Sequence, residues 1–135
     1  MKKLFSTSYS DVSFNLAMLL LRVIAGATMI PHGYGKLKNF SKMSTAFADP
    51  FHLGMKVSLC LTIFAEFFCA MLIILGLFTR LASIPLIVVM SVALFSAHKG
   101  EIFGDGGMAG LYLSIFGAIL LVGPGRASVD GMIGK

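Results

Sequence analysis

The sequence predicts an all-α integral membrane protein, a four-helix bundle of up-down topology with a long connection between its first two spans. Apolar residues make up 57% of the 135-residue chain and charged residues only 13%, about half the charged share of an ordinary soluble domain. The mean hydropathy is +0.91. The apolar residues gather in four stretches, roughly 14–30, 57–78, 81–97 and 108–122, each near the ~17–25 residues that a helical span requires. Little chain is left over, so residues 1–135 are read as one transmembrane domain with no linker or low-complexity segment.

The first stretch, Phe14 to Ile30, follows Met1-Lys2-Lys3 and contains Ala25-Gly26-Ala27. That outline resembles a cleavable signal, but Asp11, Asn15 and Arg22 interrupt its profile, so it is read as a retained span. Pro31 to Lys56 forms the long connection. Within it, Phe40, Met43, Phe47 and Phe51 suggest a short amphipathic helix at the interface, with an ordered loop as the other reading. The second span ends at Leu77-Phe78-Thr79-Arg80-Leu81, too short for an ordinary loop, which predicts a tight antiparallel hairpin. Pro85 sits early enough in the third span to be tolerated, with at most a modest kink. Gly107, Gly110, Ser114 and Gly117 make a stripe of small residues on the fourth span, expected to serve close helix packing. Gly123-Pro124-Gly125 then breaks the helix.

Charges inside apolar spans are expensive, so they face the bundle interior and find partners. Arg22 and Glu66 each lie near the middle of such a span. Helical periodicity puts Asn15, Arg22, Gly26 and Met29 on one stripe of the first span, and Ser58, Thr62, Glu66 and Cys69 on one stripe of the second. Counted inward from the side that holds both termini, Arg22 is about eight residues deep and Glu66 about twelve, a difference of roughly 6 Å. The expectation is an Arg22–Glu66 ion pair. It serves either as a staple between the spans or as a proton-accepting Glu66 whose acidity Arg22 sets.

Up-down counting collects His32, Lys36, His98, Glu101 and Asp105 at the opposite end, the loop side, with Tyr112 about one turn inside. Two histidines, a lysine and a tyrosine at one mouth suit a polar head group. A lipid-soluble quinone is the hypothesis, its carbonyl oxygens meeting His32, His98 or Tyr112 and its protons passing through the loop-side cluster. The sequence carries no haem motif, iron–sulfur cysteine set or dinucleotide fingerprint, so electrons must come from a partner or from the substrate.

Other chemistries are disfavoured. Cys60 and Cys69, nine residues apart on one helix, point to opposite faces and cannot bridge each other. They are read as two buried thiols, and no Cys/His spacing suits a metal. The net charge is +5, but the basic residues are scattered singly around the span ends, so nucleic acid is not implied. Those bases divide almost evenly between the two sides, and the positive-inside rule chooses no orientation.

Taken in order, Arg22, Gly26, His32-Gly33, Lys36-Leu37, Glu66, the Gly76-Leu77-Phe78-Thr79-Arg80 hairpin, Met90, Ala93, His98 and Gly123-Pro124-Gly125 with Ser128 and Asp130 resemble the DoxX family of four-span membrane proteins. The resemblance implies a bacterial cytoplasmic (inner) membrane subunit linked to quinone-dependent oxidation of sulfur compounds or to the handling of oxidative stress. It carries over Arg22, His32, Lys36, Glu66, Arg80 and His98 as site positions. The reading is therefore a quinone-linked oxidoreductase subunit, with Glu66 and Arg22 as its chemical pair and His32, Lys36, His98, Tyr112 and Arg80 as ligand-binding residues. Its expected partners are membrane lipid, further copies of itself and a larger membrane complex. The alternative is a non-catalytic adaptor or assembly factor in which Arg22 and Glu66 only staple the bundle.

Overall fold

A computed structural model of the chain describes residues 2–45, 49, 52–97, 104 and 106–134, and the regular structure among them is entirely helical. After a 3₁₀ turn at Lys2–Phe5, α1 runs over Asp11–Lys38. Ser10 caps it, its hydroxyl accepting from the Ser13 N–H at 3.1 Å. The helix passes through Pro31 and ends two turns beyond the predicted limit at Ile30, where the Asn39 amide donates to the Gly35 carbonyl at 2.9 Å. In apolar surroundings, breaking the helix would orphan more backbone groups than the single N–H that Pro31 removes.

Within the predicted interfacial helix the structure describes α2 (Phe40–Met43), with Phe40 and Met43 half-buried. Phe47 and Phe51 lie outside the described residues. The connection is tied to the next helix by Asp49, whose carboxylate accepts from the Leu53 and Gly54 N–H groups and from the Ser58 hydroxyl, each at 2.9 Å. Partial desolvation pushes this carboxyl up, but the hydrogen bonds outweigh it and hold Asp49 below the usual carboxylate range.

The second long helix, α3 (Met55–Leu75), contains a π-helical turn at Phe64–Cys69. The predicted tight hairpin follows, with Gly76 at φ +71° and Phe78 at φ +48°. It leads into α4 (Thr79–Val92), which continues through Pro85 and closes in a second π turn, Ala93–Ala97. Then come α5 (Gly107–Val122) and a last short helix, α6 (Val129–Ile133). The α1 and α3 helices are long and apolar enough to cross a membrane, while α4 and α5 are shorter apolar helices.

Two packed pairs make the bundle, α1 against α3 and α4 against α5. Gly26 and Gly33 let the first pair close. A Cβ at Gly26 would strike Ile74 and the Ala70 carbonyl. One at Gly33 would lie 2.7 Å from the Phe67 nitrogen and 2.8 Å from the Glu66 carbonyl carbon. The core between the pairs is apolar, built from Ala25, Met29, Ile73, Leu86, Phe116 and Ile119. Outward-facing Leu20, Leu61, Phe68, Leu111 and Leu121 are exposed, as expected of a surface solvated by lipid.

Two expectations are corrected. The small-residue stripe of α5 does not pack as a unit, because Gly110 is buried whereas Ser114 is exposed and a Cβ at Gly117 would meet nothing within 4 Å. The four residues share one side of the helix, but only the part of it around Gly110 is covered by the bundle. The thiols also differ, since Cys69 is buried and Cys60 is exposed, the opposite-face geometry sending one of them outward. N-ethylmaleimide applied to the folded protein in mild detergent is expected to label Cys60 alone, and both cysteines after unfolding, as read by peptide mass spectrometry.

Candidate functional site

The interior charges do not meet each other. Glu66 pairs with Lys36, whose Nζ lies 2.6 Å from Oε1, while the Arg22 guanidinium donates through Nη2 to the Ala127 carbonyl at 2.6 Å. The expected Arg22–Glu66 pair fails because the two spans do not begin at the same level. Glu66 stands beside Gly33, and Arg22 stands beside the hairpin turn at Gly76. Helix α1 therefore overhangs the hairpin by about three turns, from Asp11 to Arg22, and the chain after α5 fills the space beneath the overhang.

The loop-side centre is assembled by α1 and the π turn of α3. The close approach at Gly33 brings the α3 backbone against α1, and Lys36, one turn further on, reaches across to Glu66. The extra residue of a π turn re-aims the side chains on it, a feature common at functional sites. Glu66 sits within that turn with its side chain 5% exposed, while Lys36 is 22% exposed and opens toward the loop side. Nearby on the same helix, His32 meets the Tyr112 ring edge-on at 6.2 Å between centroids. The Tyr112 hydroxyl bonds the Thr28 hydroxyl at 2.8 Å, and Thr28 in turn donates to the Ile24 carbonyl at 2.7 Å. Thr28 escaped the sequence reading because it is an exposed residue off the polar stripe of α1, and only the packing of α5 brings the Tyr112 hydroxyl to it. Of the predicted loop-side cluster, the structure sets His32 against Tyr112 and turns Lys36 onto Glu66, the expected partner of Arg22, while His98, Glu101 and Asp105 lie outside the described residues.

A second polar centre occupies the other end. Asp130 accepts from the Phe78 and Thr79 N–H groups, 2.8 Å to each of its two carboxylate oxygens, and so caps the start of α4. Its own N–H donates to the Gly76 carbonyl at 2.8 Å. Ser128 caps α6 by accepting from the Gly131 N–H at 2.9 Å, and Asn15 accepts from the Arg126 N–H at 2.8 Å. Gly76 leaves room for Arg22, since a Cβ there would strike the guanidinium and Ser128. Burial pushes the Asp130 carboxyl up, but the Thr79 and Phe78 groups and the Arg22 charge outweigh it and hold it below the usual carboxylate range. Arg22 is 1% exposed, and its Nε and Nη1 have no hydrogen-bond partner among the described residues. Arg80 belongs to this end too, exposed on the first turn of α4 and set against Gly123.

Between α3 and α4 opens an apolar groove of about 320 Å³, lined by Phe64, Cys69, Leu72, Phe78, Leu81 and Ile84 among others. None of the predicted ligand-binding residues lines it.

Comparison with known proteins agrees with the sequence motifs. The DoxX family model matches residues 17–99, more than half of the chain. The chain belongs to the DoxX family. The matched DoxX region includes Arg22, His32, Lys36, Glu66, Arg80 and His98, and it stops before Tyr112 and before the Gly123–Asp130 segment that caps the hairpin. With the apolar helices α1 and α3, DoxX membership makes this a membrane protein. No match is found among the curated proteins or among the solved structures.

Proposed function

We propose that this DoxX chain is a four-span subunit of a bacterial cytoplasmic membrane that serves a quinone-linked oxidoreductase system and binds a quinone-like ligand at its loop-side end. The Lys36–Glu66 pair beside His32 and Tyr112 carries the reading. A quinone offers acceptor oxygens, and the residues present suit them: Lys36 keeps two ammonium hydrogens beyond the one given to Glu66, and His32 adds a ring nitrogen, while Tyr112, whose hydroxyl hydrogen is given to Thr28, offers its ring as a wall beside His32. When bound, such a group supplies the electron-carrying chemistry. The chain's own part is to hold the oxygens and to move protons between Lys36, Glu66 and the loop-side water. With no dinucleotide or iron–sulfur motif in the sequence, electrons reach the ligand from a partner subunit or from the substrate itself. In this reading α4 and α5 complete the bundle as spans, and their short length favours assembly with further copies or subunits.

The test is to purify the protein in mild detergent and identify co-purifying lipid-soluble molecules by mass spectrometry, comparing wild type with His32→Ala/His98→Ala. Near-stoichiometric quinone in the wild type and its loss in the variant, with thermal stability unchanged, is the expected result. Absence of ligand from the wild type even with added quinone favours the adaptor reading.

A further inference from the structure

Glu66 and Arg22 stand eleven residues apart in level along α1, roughly 16 Å at 1.5 Å per residue. The bundle between them is filled by Ala25, Met29, Ile73, Leu86, Phe116 and Ile119, none more than 1% exposed. The nearest polar groups in that interval are already engaged, Thr28 with the carbonyls of its own helix, Tyr112 with Thr28, and the buried Ser83 hydroxyl with the Thr79 carbonyl. A proton moves through groups at hydrogen-bond spacing, about 3 Å from one to the next, and the described residues of this layer offer no such run. Toward the loop side the situation reverses, because Lys36 touches Glu66 and is itself partly exposed at that end. We infer that Glu66 exchanges protons with the loop side alone, by way of Lys36, and that the bundle is closed to protons between its two polar centres. The inference rests on the reading of the chain as a membrane-spanning bundle. Its consequence is that protons taken up or released by a ligand at this end return to the side they came from, so turnover through this chain moves no proton across the membrane.

A carbodiimide joins an amine to a carboxyl group held in contact: the carboxylate adds to the reagent, the amine displaces it to form the amide, and the reagent leaves as a urea that has taken up the elements of water, so Lys36 and Glu66 are set for a direct amide crosslink. The protein is reconstituted in sealed vesicles, and its orientation is read with an impermeant maleimide on Lys56→Cys and, separately, on Arg126→Cys. A charged, water-soluble carbodiimide is then applied from outside, and the Lys36–Glu66 crosslinked peptides are quantified by mass spectrometry, with Glu66→Gln as the blank. The expected result is at least about tenfold more crosslink in the population whose loop side faces out, because a charged reagent pays heavily to cross hydrocarbon. Equal crosslinking from both faces, crosslinking from the terminal side, or none from either overturns the inference. The experiment needs no quinone: one-sided crosslinking in a protein that binds no quinone would leave this inference standing and remove the proposed ligand, and two-sided crosslinking in a quinone-bound protein would do the reverse.

Discussion

Gly33→Ala is expected to lower the stability of the folded protein by about 3 kcal/mol, the upper part of the usual range for overpacking. The added methyl would lie 2.7 Å from a backbone nitrogen and 2.8 Å from a carbonyl carbon of α3, atoms that cannot rotate out of the way as a side-chain tip can. The helices must separate along the interface where Lys36 reaches Glu66, so the ion pair and the Lys36–Glu66 crosslink should weaken together. Gly35→Ala is the matched control. A Cβ there meets nothing within 4 Å, and a helical alanine replaces a helical glycine, worth up to about 1 kcal/mol in the stabilising direction. Thermal unfolding of both variants in one detergent, followed by far-ultraviolet circular dichroism, should move them in opposite directions. Equal behaviour would show that α1 and α3 do not approach this closely.

Asp130→Ala should cost about 2–3 kcal/mol, the combined scale of a lost helix cap and lost hydrogen bonds to a charged acceptor. Without the carboxylate, the Phe78 and Thr79 N–H groups lose their acceptor, and Phe78 keeps the cost of its left-handed conformation without the two hydrogen bonds that offset it. Asp130→Asn keeps the shape and removes the charge, so it separates the two effects. Because the folded protein holds this carboxyl below its ordinary value, the unfolded chain takes up the proton first as the solution is acidified. The stabilisation is thus complete above the ordinary carboxylate range near pH 3.9 and is lost as pH falls through the lowered folded value. Asp49 is lowered in the same direction and contributes its own acid slope, so the comparison is between wild type and Asp130→Asn across one pH series. An unchanged acid slope in the variant would show that Asp130 is not held by this cap.

Much of the architecture was legible because hydropathy along the chain is a local quantity. Four apolar stretches, the short Leu77–Leu81 junction and the breaker at Gly123-Pro124-Gly125 correspond to helices, a turn and a helix end in the structure. The family could be read as well, since its motifs are carried by residues in order, and the family match covers the positions that suggested it. Periodicity alone was enough to turn Arg22 and Glu66 inward, and both are buried.

Which buried charge meets which partner was not legible. That depends on the relative level of two helices whose connection the sequence places at Pro31 to Lys56 and the structure shortens to Asn39 to Gly54, and nothing in either helix's own pattern sets that offset. The offset comes from tertiary contacts: Gly26 and Gly33 against the α3 backbone, and the C-terminal segment wedged beneath the overhang of α1. In the sequence Lys36 reads as a ligand-binding residue of the loop-side mouth because a long side chain near a helix end normally reaches toward water, and only the packed structure shows it turned to Glu66. Ser128 and Asp130 stood out in the sequence as a terminal motif, yet their work as caps appears only where the chain end folds back onto the hairpin some fifty residues earlier. The sequence by itself determined helicity, burial and membership, which follow from local hydropathy and residue order. The tertiary structure decided the pairing of charges and hence the separation into two polar centres, because a side chain's partner is set by the level and spacing of helices that are distant in sequence.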